Sequence, residues 1–322
     1  MQMSWFRVAG RILAATMLLL GGCSGSQVGA SGDGGASAAA DGGAVSTADG
    51  GLVATDGGGL AGEWALWPVR EQPIYTTTPE TVTDTGTGLV WERAVSVETF
   101  VWQQAVDHCA GLASSAFGGY SDWRLPAEIE LISIIDVTRP GTWVDSVAFP
   151  HTPIDQLFWS STPRAGSPGQ FWGARAAIVI YEAATSAQQV RCVRGASSRS
   201  GPHYTITTDT VRDNWTALTW QRTTPFAAKG WDEAGSYCRG LGLGGLASGW
   251  RLPTYKELLS LVAWRSRNPT YDTEAFPSAG TASFWSASSS ADLASLAWTV
   301  DFSSGAGVPI PKSSLLGMRC VR

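Results

Sequence analysis

The chain has 322 residues and a formal net charge of −5; only 15% of its side chains are charged, yet it carries 16 Trp. That length suggests two domains. The sparse, net-acidic charge argues against an ion-pair-laced helical fold and against a basic nucleic-acid footprint, so no nucleic-acid partner is expected.

In chain order, Arg7 and Arg11 precede an apolar run over 12–20 that is too short to span a bilayer and reads as an export signal, residues 1–22. Leu20-Gly21-Gly22-Cys23 resembles the bacterial lipobox, which would make Cys23 the lipidated first residue of the mature chain and the membrane its partner. Ser24 after it resembles outer-membrane sorting, so the expected address is the cell envelope, lipid-anchored, at the outer membrane. Residues 23–60 are the lipidated Cys and a Gly/Ala/Asp-rich stretch with Asp-Gly-Gly at Asp41, Asp49 and Asp56. Such a stretch cannot bury enough apolar surface to fold and reads as a tether of roughly 30–35 Å.

The rest is one unit written twice, 61–196 and 197–322. Pro73, Tyr75, Val82, Asp84, Trp91, Trp102 and Cys109 recur at one constant spacing as Pro202, Tyr204, Val211, Asp213, Trp220, Trp231 and Cys238. Short strands are expected at 89–93 and 218–222. Trp102, Ala105, Val106, Cys109 and Leu112 then form a helical stripe that Trp231, Ala234, Cys238 and Leu241 repeat. Next comes the organising block, Trp123-Arg124-Leu125-Pro126 and Trp250-Arg251-Leu252-Pro253, each followed by a short apolar helix. Thr254 with Glu257 predicts a capping box; Ala127 in the first copy lacks the capping hydroxyl. Strands are expected at 158–160, 171–175 and 190–194, and at 284–286, 296–302 and 318–322, separated by long loops.

Beyond Cys23, each copy holds two Cys, one late in the first helix and one in the last strand. Four Cys allow three pairings; Cys109–Cys192 with Cys238–Cys320 is the one that lets each copy fold alone. Five equivalent Trp pairs read as core aromatics rather than sugar platforms. Arg124 and Arg251 read as structural, with Glu130 and Glu257 as partners.

The order Thr-Gly-Leu-Val-Trp, Trp/Cys helix, Trp-Arg-Leu-Pro, Phe-Trp-Ser and Val-Arg-Cys-Val-Arg resembles the C-terminal domain of the bacterial collagen-like adhesin Lcl. The resemblance implies an α+β fold of two tandem C-type-lectin-like domains, each with two helices and short antiparallel strands. It also implies a tethered, non-catalytic adhesion module for a glycan or protein. Alternatives are a self-associating envelope component and an enzyme like the formylglycine-generating ones. Against an enzyme, none of the three His has a His counterpart in the other copy, and no nucleophile or phosphate-loop motif appears. The copies diverge at 136–157 and 263–283. Loops on a rigid scaffold carry specificity, so Trp143, Trp264 and Tyr271 are the candidate ligand-binding residues. Neither loop has the carboxylates of a Ca²⁺ site, so no metal or cofactor is expected.

Overall fold

The computed structural model describes residues 52–53, 74–195, 202–225, 227–266, 270–277 and 283–322. Cys23, the export signal and Arg267 lie outside them. Of the expected tether, Leu52–Val53 (β1) is described and forms a strand.

The first copy runs β2 (Tyr75–Thr77), β3 (Thr81–Asp84), β4 (Val90–Glu92), α1 (Trp102–Ser114), α2 (Glu128–Ser133), β5 (Phe158–Pro163), β6 (Gln170–Arg175), β7 (Ile178–Ala183) and β8 (Val193–Arg194). The second runs β9 (Tyr204–Ile206), β10 (Thr210–Asp213), β11 (Thr219–Gln221), α3 (Trp231–Arg239), α4 (Tyr255–Leu259), β12 (Ser283–Ser289), β13 (Leu296–Asp301) and β14 (Ala306–Pro311). The architecture is mixed, with few helices and antiparallel sheets. Each copy has a small sheet, β2-β3-β4-β8 in the first and β1-β9-β10-β11 in the second. In the second copy Val321 pairs with Trp220 as an isolated bridge where β8 stands in the first.

The helical stripe buries Ala105 and Cys109 in α1, and Ala234 and Cys238 in α3. Pro126 and Pro253 keep the residues before them extended, so the second helices start just after. Thr254 Oγ1 accepts the Glu257 N–H at 3.2 Å and Glu257 accepts the Thr254 N–H at 2.7 Å, which completes the box. In the first copy only the return half survives, Ala127 N–H to Glu130 at 2.8 Å.

Two strands were not legible in sequence. β7 and β14 lie where long loops were expected, and they join the copies. A six-stranded sheet runs β12-β13-β14-β7-β6-β5, with Gly307 opposite Val179 at its centre. β14 contains Pro309 and Pro311, which reads as a poor strand. It is tolerated because its other edge pairs with β7 only at Gly307. A Cβ at Gly307 would run into the Tyr255 phenol, so the close approach there requires glycine.

The copies are therefore joined by a continuous sheet. One hydrophobic core spans both, taking in Trp91, Trp143 and Trp172 with Trp220, Trp264 and Trp298. Each copy keeps a smaller core of its own around its cystine, with Trp123 and Trp159 in one and Trp250 and Trp285 in the other.

Candidate functional site

The Trp-Arg-Leu-Pro block is a backbone clamp. Arg124 exchanges N–H and carbonyl with Val193 at 2.9 Å each, and Arg251 does the same with Val321. The last strand is thus zipped to the block beside its own cysteine. Both cystines form as expected, Cys109–Cys192 and Cys238–Cys320. The Trp123 indole N–H donates to the Phe117 carbonyl at 2.8 Å, and Trp250 donates to Leu246 at 3.2 Å. The carbonyls of Pro126 and Pro253 accept from Ser161 and Ala287.

Each block arginine forms a forked pair with its helix carboxylate. Arg124 reaches Glu130 at 2.7 and 2.6 Å, and Arg251 reaches Glu257 at 2.6 Å twice. The carboxylates are buried, while the guanidinium side chains keep 38% and 45% exposure. Burial disfavours the Arg124 charge, but Glu130 outweighs it and raises the Arg124 pKa.

The proposed ligand-contacting residues lie elsewhere than expected. Trp264 is 1% exposed, and its indole meets that of Trp172 from the other copy. Trp143 is 2% exposed and meets Trp298 edge-to-face at 5.6 Å. Each divergent loop, expected to carry ligand contacts, turns its tryptophan inward across the seam, where its apolar area is removed from water. For Trp143 the turn needs a left-handed backbone, φ 59°. Arg139 holds it there by bridging Asp136 and Asp145, both at 2.9 Å. Tyr271 is half-buried, edge-on to Phe302 at 5.5 Å.

Of the five Trp pairs, four are buried; Trp102 and Trp231 are half-buried, packed against the two smaller cores. Phe171 stacks on Trp102 at 3.7 Å, and the Lys312 ammonium sits over Trp231 at 4.1 Å. Sequence reasoning placed this pair in the core with the others. Its position at the first turn of a surface helix was the available signal.

Two further arginines, Arg191 and Arg319, are buried. Arg191 donates to the carbonyls of Glu92 and Arg93 at 2.7 and 2.8 Å; Arg319 donates to those of Gln221 and Arg222 at 2.7 and 2.6 Å. Burial lowers the Arg191 pKa to about 10 against the opposing charge of Glu92, and lowers that of Arg319 to about 9. Both remain cations at neutral pH. The signal in the sequence was Arg191-Cys192 recurring as Arg319-Cys320.

Each buried arginine lines a pocket. In the first copy Arg191 shares it with Trp143, Ile154 and Phe158, beside about 30 Å³ of space. In the second, Arg319 shares about 10 Å³ with Tyr271, Phe284 and Phe302.

Glu92, His108 and Cys192 approach one another closely enough to suggest a metal site. Cys192 is spent in its disulfide, and the second copy places Gln221 and Tyr237 at the other two positions, hydrogen-bonded at 3.0 Å. Glu92 accepts the Cys192 N–H as Gln221 accepts that of Cys320, so the shared task is to hold the cystine strand.

No match to this chain is found among curated proteins. The family model of the Lcl C-terminal domain matches twice, at 80–194 and 209–322, each match taking in one block, one cystine and one buried arginine. Two full matches over most of the folded chain, with the pattern intact in both, mean that this protein belongs to the Lcl C-terminal domain family.

Proposed function

We propose that the protein is a lipid-anchored, non-catalytic adhesion module of the bacterial envelope that docks a glycan or protein without Ca²⁺. The family itself points to a surface adhesin-like module. A lectin-like ancestry is supported by the cystine that links first helix to last strand in each copy. The observation that carries the reading is a partly exposed tryptophan at the same place in each copy, Trp102 and Trp231, on one sheet-joined body. Aromatic faces on a rigid scaffold suit sugar rings and protein anchors alike. Cys23, Ser24 and the acidic Gly-rich tether support anchoring at the outer membrane.

A Cys23→Ser form of the full chain, applied to a glycan array and to host-surface protein panels with and without EDTA, tests the binding. Expected is EDTA-resistant binding that Trp102→Ala and Trp231→Ala weaken about tenfold. Loss of binding in EDTA, or variants that bind like the parent, would refute it. Intact-mass measurement of membrane-extracted protein tests the anchor, which requires a diacylated or triacylated Cys23 at the N-terminus.

A further inference from the structure

A sheet edge left open to solvent is a template for another strand, and this chain covers most of its own. At one end of the six-stranded sheet, Trp285 and Ala287 of β12 donate their N–H groups to the carbonyls of Gly317 and Pro253. At the other end, Trp159 and Ser161 of β5 donate to Gln189 and Pro126 in the same way. In the small sheet of the second copy, β1 lies antiparallel on β9 with Leu52 opposite Ile206. The first copy has no such cover: β2 ends its sheet and pairs with β3 alone. The ladder fixes which groups are left over. Ile74 and Thr78 bond across to Thr85 and Thr81, so by alternation Thr76 also faces β3, and the main-chain groups of Tyr75 and Thr77 point outward. Those outward groups have no hydrogen bond among the described residues.

The duplication supplies an internal control. On the covered edge Ile206 is buried, and so is His203, stacked on Tyr204 and Trp215 at 3.8 and 3.9 Å. Their counterparts on β2 are Thr77, which is exposed, and Ile74, which keeps 59% exposure. Residues 74–79 carry no charge, so the edge lacks the lysine or other charge that ordinarily repels a second strand.

We propose that the β2 edge is a self-association surface, on which two molecules pair β2 with β2 antiparallel about a two-fold axis at Thr76. The two small sheets would then run on as one. With Thr76 facing Thr76, Tyr75 stands opposite Thr77 of the partner molecule and Thr77 opposite its Tyr75. Both pairs exchange N–H and carbonyl, so every outward group of β2 is satisfied. Ile74 falls opposite Thr78 of the partner molecule, which covers part of its exposed side chain. A second molecule fits better than a foreign peptide for two reasons. An uncharged strand meets itself without opposing like charges, and the strand already seated on the equivalent edge comes from this same sequence. The pairing is isologous and closes at two molecules. A contact this small makes the dimer weak and reversible. It uses neither Trp102 nor Trp231, so it stands or falls apart from the adhesive reading.

Sedimentation equilibrium of the full Cys23→Ser chain, from micromolar to millimolar concentration, tests the pairing and should show monomer and dimer in exchange. Thr76→Lys and Thr76→Glu each set like charges face to face at the axis and should weaken the dimer about fivefold. Mixed in equal amounts, the two variants should associate at least as tightly as the parent. Thr77→Pro removes an outward N–H but spares the ladder to β3, so it should weaken the dimer about tenfold with the melting temperature unchanged. Val53→Pro, in β1, should leave association intact. A monomer at every concentration, an assembly larger than a dimer, or no rescue in the Lys/Glu mixture would overturn the proposal. So would loss of association in the Val53→Pro chain, which would assign the contact to β1.

Discussion

The indole of Trp172 meets that of Trp264 edge-to-face, ring centroids 5.1 Å apart, and its N–H donates to the Trp264 carbonyl at 3.2 Å. The two residues belong to different copies. The relationship is reciprocal, since Trp143 of the first copy packs on Trp298 of the second, and Trp298 is the counterpart of Trp172. Tyr255 and Lys256 of α4 add two more crossings, to the carbonyls of Ala177 at 3.0 Å and Ser133 at 2.8 Å. Burial, aided by the nearby negative Glu128, pushes the Tyr255 phenol well above its ordinary pKa, so it remains a donor.

This seam predicts one cooperative transition. Scanning calorimetry of the oxidised protein should give a single peak with calorimetric and van't Hoff enthalpies equal. Two resolved peaks would mean that the copies unfold separately.

Removing the rivet should cost accordingly. Trp264→Ala deletes a large core side chain and should destabilise the protein by about 3–5 kcal/mol, read by denaturant midpoint. It should also lower the stability of the first copy, reported by proteolysis within 74–195. A loss confined to the second copy would refute the exchange.

The block arginines should be worth less than a fully buried ion pair. Water reaches both guanidinium groups, so Arg251→Ala should cost about 2 kcal/mol, below the penalty of orphaning a carboxylate in a dry core. Arg251→Lys should recover only part of this, because an ammonium cannot make the fork. Full recovery by Lys would show that charge alone matters.

Acid should act through Asp213. Burial disfavours its charge, but His203 and the Thr216 N–H hold its carboxyl below the ordinary range. The imidazole lies 3.5 Å away, stacked on Trp215 at 3.9 Å. A depressed folded pKa means stability that is present at neutral pH and is lost as pH falls below about 4. Asp213→Asn should flatten that part of the stability–pH curve, from about pH 4 downward. An unchanged slope would remove Asp213 from the account.

Each cystine closes a loop of similar length, with separations of 83 and 82. Cys109→Ser with Cys192→Ser should cost about 2–5 kcal/mol. The single transition should survive at a lower temperature, because the spanning core remains.

Much of the architecture was legible in the chain because it is local or repeated. The Trp/Cys stripe gave α1 and α3, proline followed by a glutamate gave α2 and α4, and the spacing of four cysteines gave both bridges. The Arg124–Glu130 and Arg251–Glu257 pairs were readable for the same reason, since six residues across one turn leave few other partners. The site was less legible. Trp143 and Trp264 look like loop residues in sequence, and nothing in their neighbours tells whether a loop turns out or in.

What the sequence determined by itself was the unit: its helices, its block, its cystine and its occurrence twice. Only the tertiary structure decided how two units share one sheet and one core. β14 reads as no strand, and Gly307 means nothing until the Tyr255 phenol from α4 fills the space its missing Cβ leaves. Periodicity records which face of an element is apolar. The surface that covers that face is set by contacts between residues far apart in the chain, and those carry no period to read.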